Sequence, residues 1–268
     1  GNHQKIIQSV LDFDFLRGES SSSIVGILGI GRHTARYFFG KKEILLPVYA
    51  SWDEIPQTIK QSVNLVLNVT SCRRVLKETD LAWKYFPHVL GETIFAEQVA
   101  ESHALKLSKY RGFLIGPASV GLLIPGVLKL GAIGGVEAKQ MVDSQLFSSG
   151  DVAVFSSSGG MTNELIRVVT SLGKGISFAL SFGGDRFPAF SPKEAFETAL
   201  SDKKTKTILY FGELGGKDEY VLVELLKKKR IKKKVICFIA GIISDMFKEP
   251  PQFGHAKAIA KSFEESAK

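Results

Sequence analysis

The sequence predicts an α/β protein in two parts, each a parallel sheet covered by helices. Three observations lead there: short continuous apolar runs alternate with amphipathic segments, glycine-rich turns follow several of those runs, and the alternation breaks once, over residues 116–150. Short, wholly apolar strands separated by helices are the mark of strands buried on both faces. At 268 residues, 44% hydrophobic and 23% charged, the chain is long enough for two cores and excludes the disordered and collagen-like classes.

Apolar residues at helical spacing predict a helix over 4–15, and the serine run 20–23 reads as a loop. Strands are expected at Ile24–Gly29, Glu43–Val48, Asn64–Val69, Val89–Leu90 and Phe113–Ile115, with amphipathic segments at 53–62, 72–86 and 95–108. The turn pairs Gly116-Pro117, Pro125-Gly126 and Gly134-Gly135 predict a loop and hairpin region joining the two parts, with a boundary near residue 148. Beyond it, strands are expected at Val152–Phe155, Gly175–Phe182, Thr205–Phe211 and Val235–Ile239. Helices are expected at 160–172, 192–201, 218–229 and 254–267.

Two cysteines, Cys72 and Cys237, are too few for a disulfide scaffold or a cysteine zinc site, and no metal-ligand constellation is visible. The apolar run Val235–Ile243 is too short to span a bilayer, and the first residues lack the apolar core of a signal peptide, so the sequence reads as a soluble, cytoplasmic protein. Its net charge of +8 is concentrated in residues 227–234, seven positive charges in eight positions. Such a run is a weaker sign of nucleic acid than a basic face would be; a solvated helix end is the simpler reading, and no nucleic-acid or membrane partner is expected.

Ligands of open α/β sheets collect beyond the carboxyl ends of the strands, and four glycine turns sit there. Gly29-Ile30-Gly31 lacks the third glycine of a dinucleotide fingerprint. Ser158-Gly159-Gly160 opens a helix, where free N–H groups and the helix dipole suit an anion, although an ordinary N-cap has the same appearance. Gly183-Gly184 and Gly212–Gly216 complete the set, and Glu213 follows an apolar strand. His255, between Gly254 and Ala256, is free to act as base, ligand or phosphoryl acceptor, or is a plain surface histidine. There is no P-loop, since Gly173-Lys174-Gly175 fails at its last position, so any ATP site is expected on another chain.

Seven runs, in order along nearly the whole chain, carry a family resemblance. They are residues 11–14, 42–48, 115–121, 158–165, 183–188, 212–216 and 252–256: LDFD, KEILLPV, IGPASVG, SGGMTNEL, GGDRFP, GELGG and QFGHA. The chain resembles the α subunit of succinyl-CoA synthetase and, more closely, the matching region of ATP-citrate lyase and citryl-CoA synthetase. The resemblance implies a Rossmann-like CoA-binding domain over 1–148 and a flavodoxin-like ligase domain over 149–268, shorter at its end than the family's. It implies phosphorylation of His255 by ATP and Mg2+ held on an ATP-grasp partner, transfer of the phosphoryl group to a carboxylic acid such as citrate, and attack by the CoA thiol. In that scheme Glu213 orients His255, and Ser158, Gly159 and Gly160 hold the phosphate. Gly29, Gly31, Thr70, Ser71 and Glu92 lie near CoA, and the chain works in a hetero-oligomer. The alternatives are a succinyl-CoA synthetase α-like subunit and a diverged, non-catalytic member. Lys257 in place of the second glycine of Gly-His-Ala-Gly, and Ser157 in place of a common arginine, motivate the latter.

Overall fold

The computed structural model describes residues 2–31, 33–110, 112–213, 216–229 and 233–240. The expected helix 254–267 lies outside them. The N-terminal half runs α1 (Asn2–Leu16), β1 (Ile27–Leu28), β2 (Thr34–Phe39), β3 (Lys42–Tyr49), α2 (Gln57–Ser62), β4 (Leu65–Asn68), α3 (Val75–Tyr85), β5 (Gly91–Ile94), α4 (Glu101–Leu107) and β6 (Phe113–Ile115). It continues through β7 (Gly121–Ile124), β8 (Leu128–Gly131) and α5 (Ala138–Asp143). The C-terminal half runs β9 (Val152–Ser156), α6 (Gly159–Ser171), β10 (Ile176–Ser181), α7 (Pro192–Ser201), β11 (Thr207–Gly212), α8 (Asp218–Lys229) and β12 (Lys234–Ile239).

The largest sheet has the order β12-β11-β9-β10-β7-β8. Its four C-terminal strands are parallel, and β7 joins β10 antiparallel. Along β9 every residue is buried, and alternate side chains serve two cores. Ala153 and Phe155 face α7 and α8, packing with Phe196, Tyr210 and Leu222. Val152 and Val154 face the other way, against Ile166 of α6, Met141 of α5 and Phe13 of α1. This is the period-two division expected of a strand buried on both sides. On the first face, Phe196 meets Phe155, Phe182 and Tyr210 edge-on, with centroids 5.4–6.0 Å apart.

The expected boundary near 148 falls between α5 and β9, yet the hairpin β7–β8 that precedes it belongs to the large sheet. The hairpin expected within 116–150 is therefore present, but as two strands of that sheet. The remaining strands form two smaller sheets, β1-β3-β2 and the parallel β4-β5-β6, in place of one continuous sheet. Strand β2 was not expected from the sequence. It pairs antiparallel with β3 across the two-residue turn Gly40-Lys41, and Tyr-Phe-Phe at its end suits a strand. Gln8 of α1 hydrogen-bonds both backbone groups of Phe38, at 2.8 and 3.0 Å, and so occupies part of an otherwise open edge.

Helix α1 has two apolar contacts in different directions. Leu11 packs with Tyr37 and Leu46 on the small sheet, and Phe13 enters the core of the large one. Between them Ser9 receives a hydrogen bond of 2.8 Å from the amino group of Lys129 in β8, which also donates to the Gly131 carbonyl at 2.6 Å. Lys129 is almost wholly buried. Burial lowers its pKa from 10.5 to about 7, against the opposing pull of the Asp12 charge.

Candidate active site

The four parallel strands of the large sheet end on one side, and three of the expected turns leave it there. Phe211 pairs with Ser156, so the turn after β11, with Gly212 and Glu213, leaves the sheet beside the serine turn after β9. In that turn Ser156 accepts a hydrogen bond from the Ser158 N–H at 3.0 Å, and Ser158 caps α6 by accepting from the Met161 N–H at 3.3 Å. The first N–H groups of a helix have no carbonyl within it, which makes the Gly159 and Gly160 backbone suited to an anion.

The segment Gly116–Gly121 lies across this turn. Ser119 donates to the Ser181 carbonyl at 2.6 Å and accepts from the Gly121 N–H at 2.9 Å. Two glycines permit the approach: a Cβ on Gly159 would stand 2.4 Å from Val120 Cγ1, and one on Gly183, where φ is +93°, would stand 1.9 Å from the Pro117 carbonyl oxygen. Gly183 was expected only as one of the four glycine turns, and Ser119 and Ser156 were given no role, although 115–121 was among the family runs.

Acidic groups gather on the other side of the turn. The Ser157 hydroxyl donates to Asp218 at the start of α8, at 3.4 Å. Burial, and then the negative charges of Asp218, Glu219 and Glu213, push the Tyr210 hydroxyl well above its ordinary pKa. Ser158, Gly159, Gly160 and Glu213 are thus on one end of one sheet; His255 lies outside the described residues.

The residues expected near CoA are placed less uniformly. Gly29 and Gly31 follow β1, and the Gly29 N–H donates to the Tyr49 carbonyl at 2.9 Å. Gly31 has a φ of +124°, and among the described residues no atom beyond its chain neighbours lies within 4 Å of an added Cβ. Thr70 and Ser71 follow β4, in a different sheet. Glu92, in β5, has no exposed surface, and it accepts from Asn68 at 2.7 Å, Thr79 at 2.9 Å and Trp83 at 3.3 Å. Burial raises its pKa, opposed by those three donors. Its carboxylate faces protein, so it is not placed to touch a ligand as expected. Asn68 was missed; its signal was an amide closing an apolar strand.

The basic run is not uniformly solvated either. Lys227, Lys228 and Lys234 are exposed, but Lys233 donates to the carbonyls of Ala199, at 2.8 Å, and Asp202 at the end of α7. Among the described residues no helix is long and apolar enough to cross a membrane.

The CoA-ligase family matches residues 155–266, the part that begins with the serine turn. Over its whole length the chain is 36% identical to a probable ATP-citrate synthase of Caenorhabditis elegans and 34% identical to a probable ATP-citrate synthase subunit 1 of Neurospora crassa. The chain is homologous to a segment of ATP-citrate synthase. It spans 24% and 40% of those two relatives. Two solved structures agree: ATP citrate lyase of Methanothrix soehngenii with citrate and coenzyme A, and a variant of that of Methanosaeta concilii with (3S)-citryl-CoA. Each is 31% identical, with TM-scores of 0.89 and 0.90 over all of this chain and 44% of theirs. The fold is thus the CoA-ligase fold of ATP citrate lyase, to which the sheet β12-β11-β9-β10-β7-β8 contributes.

Proposed function

We propose that this chain is a segment or subunit of an ATP-dependent enzyme that joins citrate to CoA through a phosphohistidine and an acyl phosphate. The observation that carries this reading is the turn Ser156–Gly160, which opens α6 under the 116–121 segment within a chain homologous to ATP-citrate synthase throughout. The solved relatives with citrate, CoA and citryl-CoA support the choice of acid.

In this reading the imidazole of His255 takes the phosphoryl group from ATP and passes it to the citrate carboxylate. A carboxylate at Glu213 fixes the tautomer that makes the ring nucleophilic. The Gly159 and Gly160 N–H groups, at the positive end of α6, hold the phosphoryl oxygens. Residues 1–148 serve the CoA side, with Gly29, Gly31, Thr70 and Ser71 at strand ends, and 149–268 the ligase side, borrowing the hairpin β7–β8. Gly31 suits a close ligand because none of the described residues beyond its chain neighbours occupies the space beside it. The CoA thiol takes the acyl group from the acyl phosphate, and the C–O bond to phosphate breaks to release inorganic phosphate. ATP and Mg2+ are held by an ATP-grasp partner in a hetero-oligomer, as "subunit 1" and "beta chain" in the names of relatives suggest.

The chain is incubated with an ATP-grasp partner, citrate-free, and γ-labelled ATP. The expected product is acid-labile phosphate on this chain, absent from His255→Ala. Equal labelling of that variant would refute the reading. One observation favours a second reading, a diverged non-catalytic member: the hydroxyl of Ser157 turns to Asp218, where the resemblance implies an arginine cation. An unlabelled wild-type chain beside a labelled ATP-citrate lyase control would favour it.

A further inference from the structure

Thr70 and Ser71 form the turn between β4 and α3. The turn is held at its far end by helix hydrogen bonds, with the Arg74 and Val75 N–H groups donating to the Ser71 carbonyl at 2.9 and 3.0 Å. It is held at its near end by Asn68, whose side-chain oxygen accepts from both the Thr70 N–H, at 3.1 Å, and the Thr70 hydroxyl, at 2.7 Å. That clasp works only if the amide presents oxygen to Thr70 and nitrogen to the interior.

The interior decides the question. Behind Asn68 stands Glu92, fully buried on β5, where its register partner on the parallel strand β4 is Val66 and Asn68 lies two residues further along. Glu92 Oε1 accepts from Asn68 Nδ2 at 2.7 Å and from the Thr79 hydroxyl at 2.9 Å, while Oε2 accepts from the Trp83 ring N–H at 3.3 Å. Since Oε1 accepts from the amide nitrogen, the amide oxygen is left to face Thr70. A buried amide turned the other way would set its oxygen against the carboxylate oxygen and its nitrogen against the Thr70 N–H, so both of those contacts would be lost.

We infer that Glu92 is a positioning residue: through Asn68 it locks the Thr70–Ser71 turn in one conformation before a ligand arrives. The hydroxyl of Thr70 has its proton committed to Asn68, so it meets a ligand as an acceptor, and Ser71 stays exposed beside it. The ligand of this turn, CoA, rests on the function proposed above; the lock itself does not. Pre-organisation of this kind lowers the ordering cost of binding.

The test compares the chain with Glu92→Leu, which removes the acceptor, and Glu92→Gln, whose oxygen can still accept from Asn68 and Thr79. Amide hydrogen exchange at Thr70 is read against Arg74 and Val75, and CoA binding is measured by calorimetry well below each variant's melting temperature. The expected result is Thr70 exchange about ten-fold faster in Glu92→Leu, with Arg74 and Val75 unchanged, and protection largely kept in Glu92→Gln. CoA affinity should fall in Glu92→Leu in step with Thr70 protection. Unchanged Thr70 exchange in Glu92→Leu would overturn the lock. So would a uniform loss of protection at all three amides, which a merely structural role predicts. A lock that behaves as expected in a chain without CoA affinity would overturn the ligand assignment alone.

Discussion

Replacing Lys129 by methionine removes the amino group buried between α1 and β8 while keeping the length of the side chain. In the folded protein burial brings this amine to about 7, against 10.5 when unfolded. Between those values the unfolded chain holds the proton and the folded chain does not, so stability rises with pH through this window. Relative to a permanently neutral amine, the penalty is about 4 kcal/mol at pH 7 and about 2 kcal/mol at pH 9. The wild-type chain should therefore gain about 2 kcal/mol over Lys129→Met between pH 7 and pH 9. With an m-value of about 3 kcal/mol/M, that is a midpoint shift on the order of 0.7 M urea. Urea unfolding of both chains at pH 7, 8 and 9 measures it, and the other titrating groups cancel in the difference. Parallel stability profiles would refute the reasoning, because they would mean that the amine keeps its proton, or reaches water, in the folded state.

Two other substitutions test the geometry elsewhere. Gly183→Ala places a Cβ 1.9 Å from the Pro117 carbonyl at a φ of +93°. Backbone strain alone should cost about 1–3 kcal/mol, read as a lower melting temperature, and an unchanged melting temperature would mean that the 116–121 segment is not pressed onto the turn. Lys233→Ala should cost about 1 kcal/mol in urea unfolding, because it uncovers the α7 carbonyls, whereas Lys227→Ala should stay within about 0.5 kcal/mol. Equal effects would return Lys233 to the solvated run.

The C-terminal half was legible because its strands and helices carry strong, separate patterns. Val152–Phe155 is continuously apolar, and Ser191-Pro192 with Glu194 is a capping box that starts α7. The expected segments there match β9 to β12 and α6 to α8 within two residues. The N-terminal half was harder to read. The strand expected at Val89–Leu90 lies two residues later, at Gly91–Ile94, because its polar Glu92 and Thr93 are buried inside the fold and interrupt the apolar pattern. Strand β2 was hidden because its edge is matched by a side chain, Gln8, thirty residues away. The same reason explains Glu92. The family resemblance implies that it lies near CoA, and only the positions of Asn68, Thr79 and Trp83, all from other elements, turn it inward. The serine turn and Glu213 were legible as strand-end residues; their convergence with Ser119 and Asp218 depends on the order β11-β9-β10-β7, which no local pattern contains.

Helix α1 has a consequence for how the chain is made. It leaves the ribosome before both of the surfaces that it joins. Its partner Lys129 is 120 positions further on, and the strand β9 behind Phe13 later still. A helix of 15 residues is marginal by itself; the small sheet is made soon after α1, but its contacts with the large sheet wait until β8 and β9 have been synthesised. Contacts of such long sequence separation close slowly. The seating of α1 on the large sheet is then a late step of folding in this part of the molecule. That step joins the small sheet, whose β1 leads into Gly29 and Gly31, to the large sheet, which carries the serine turn.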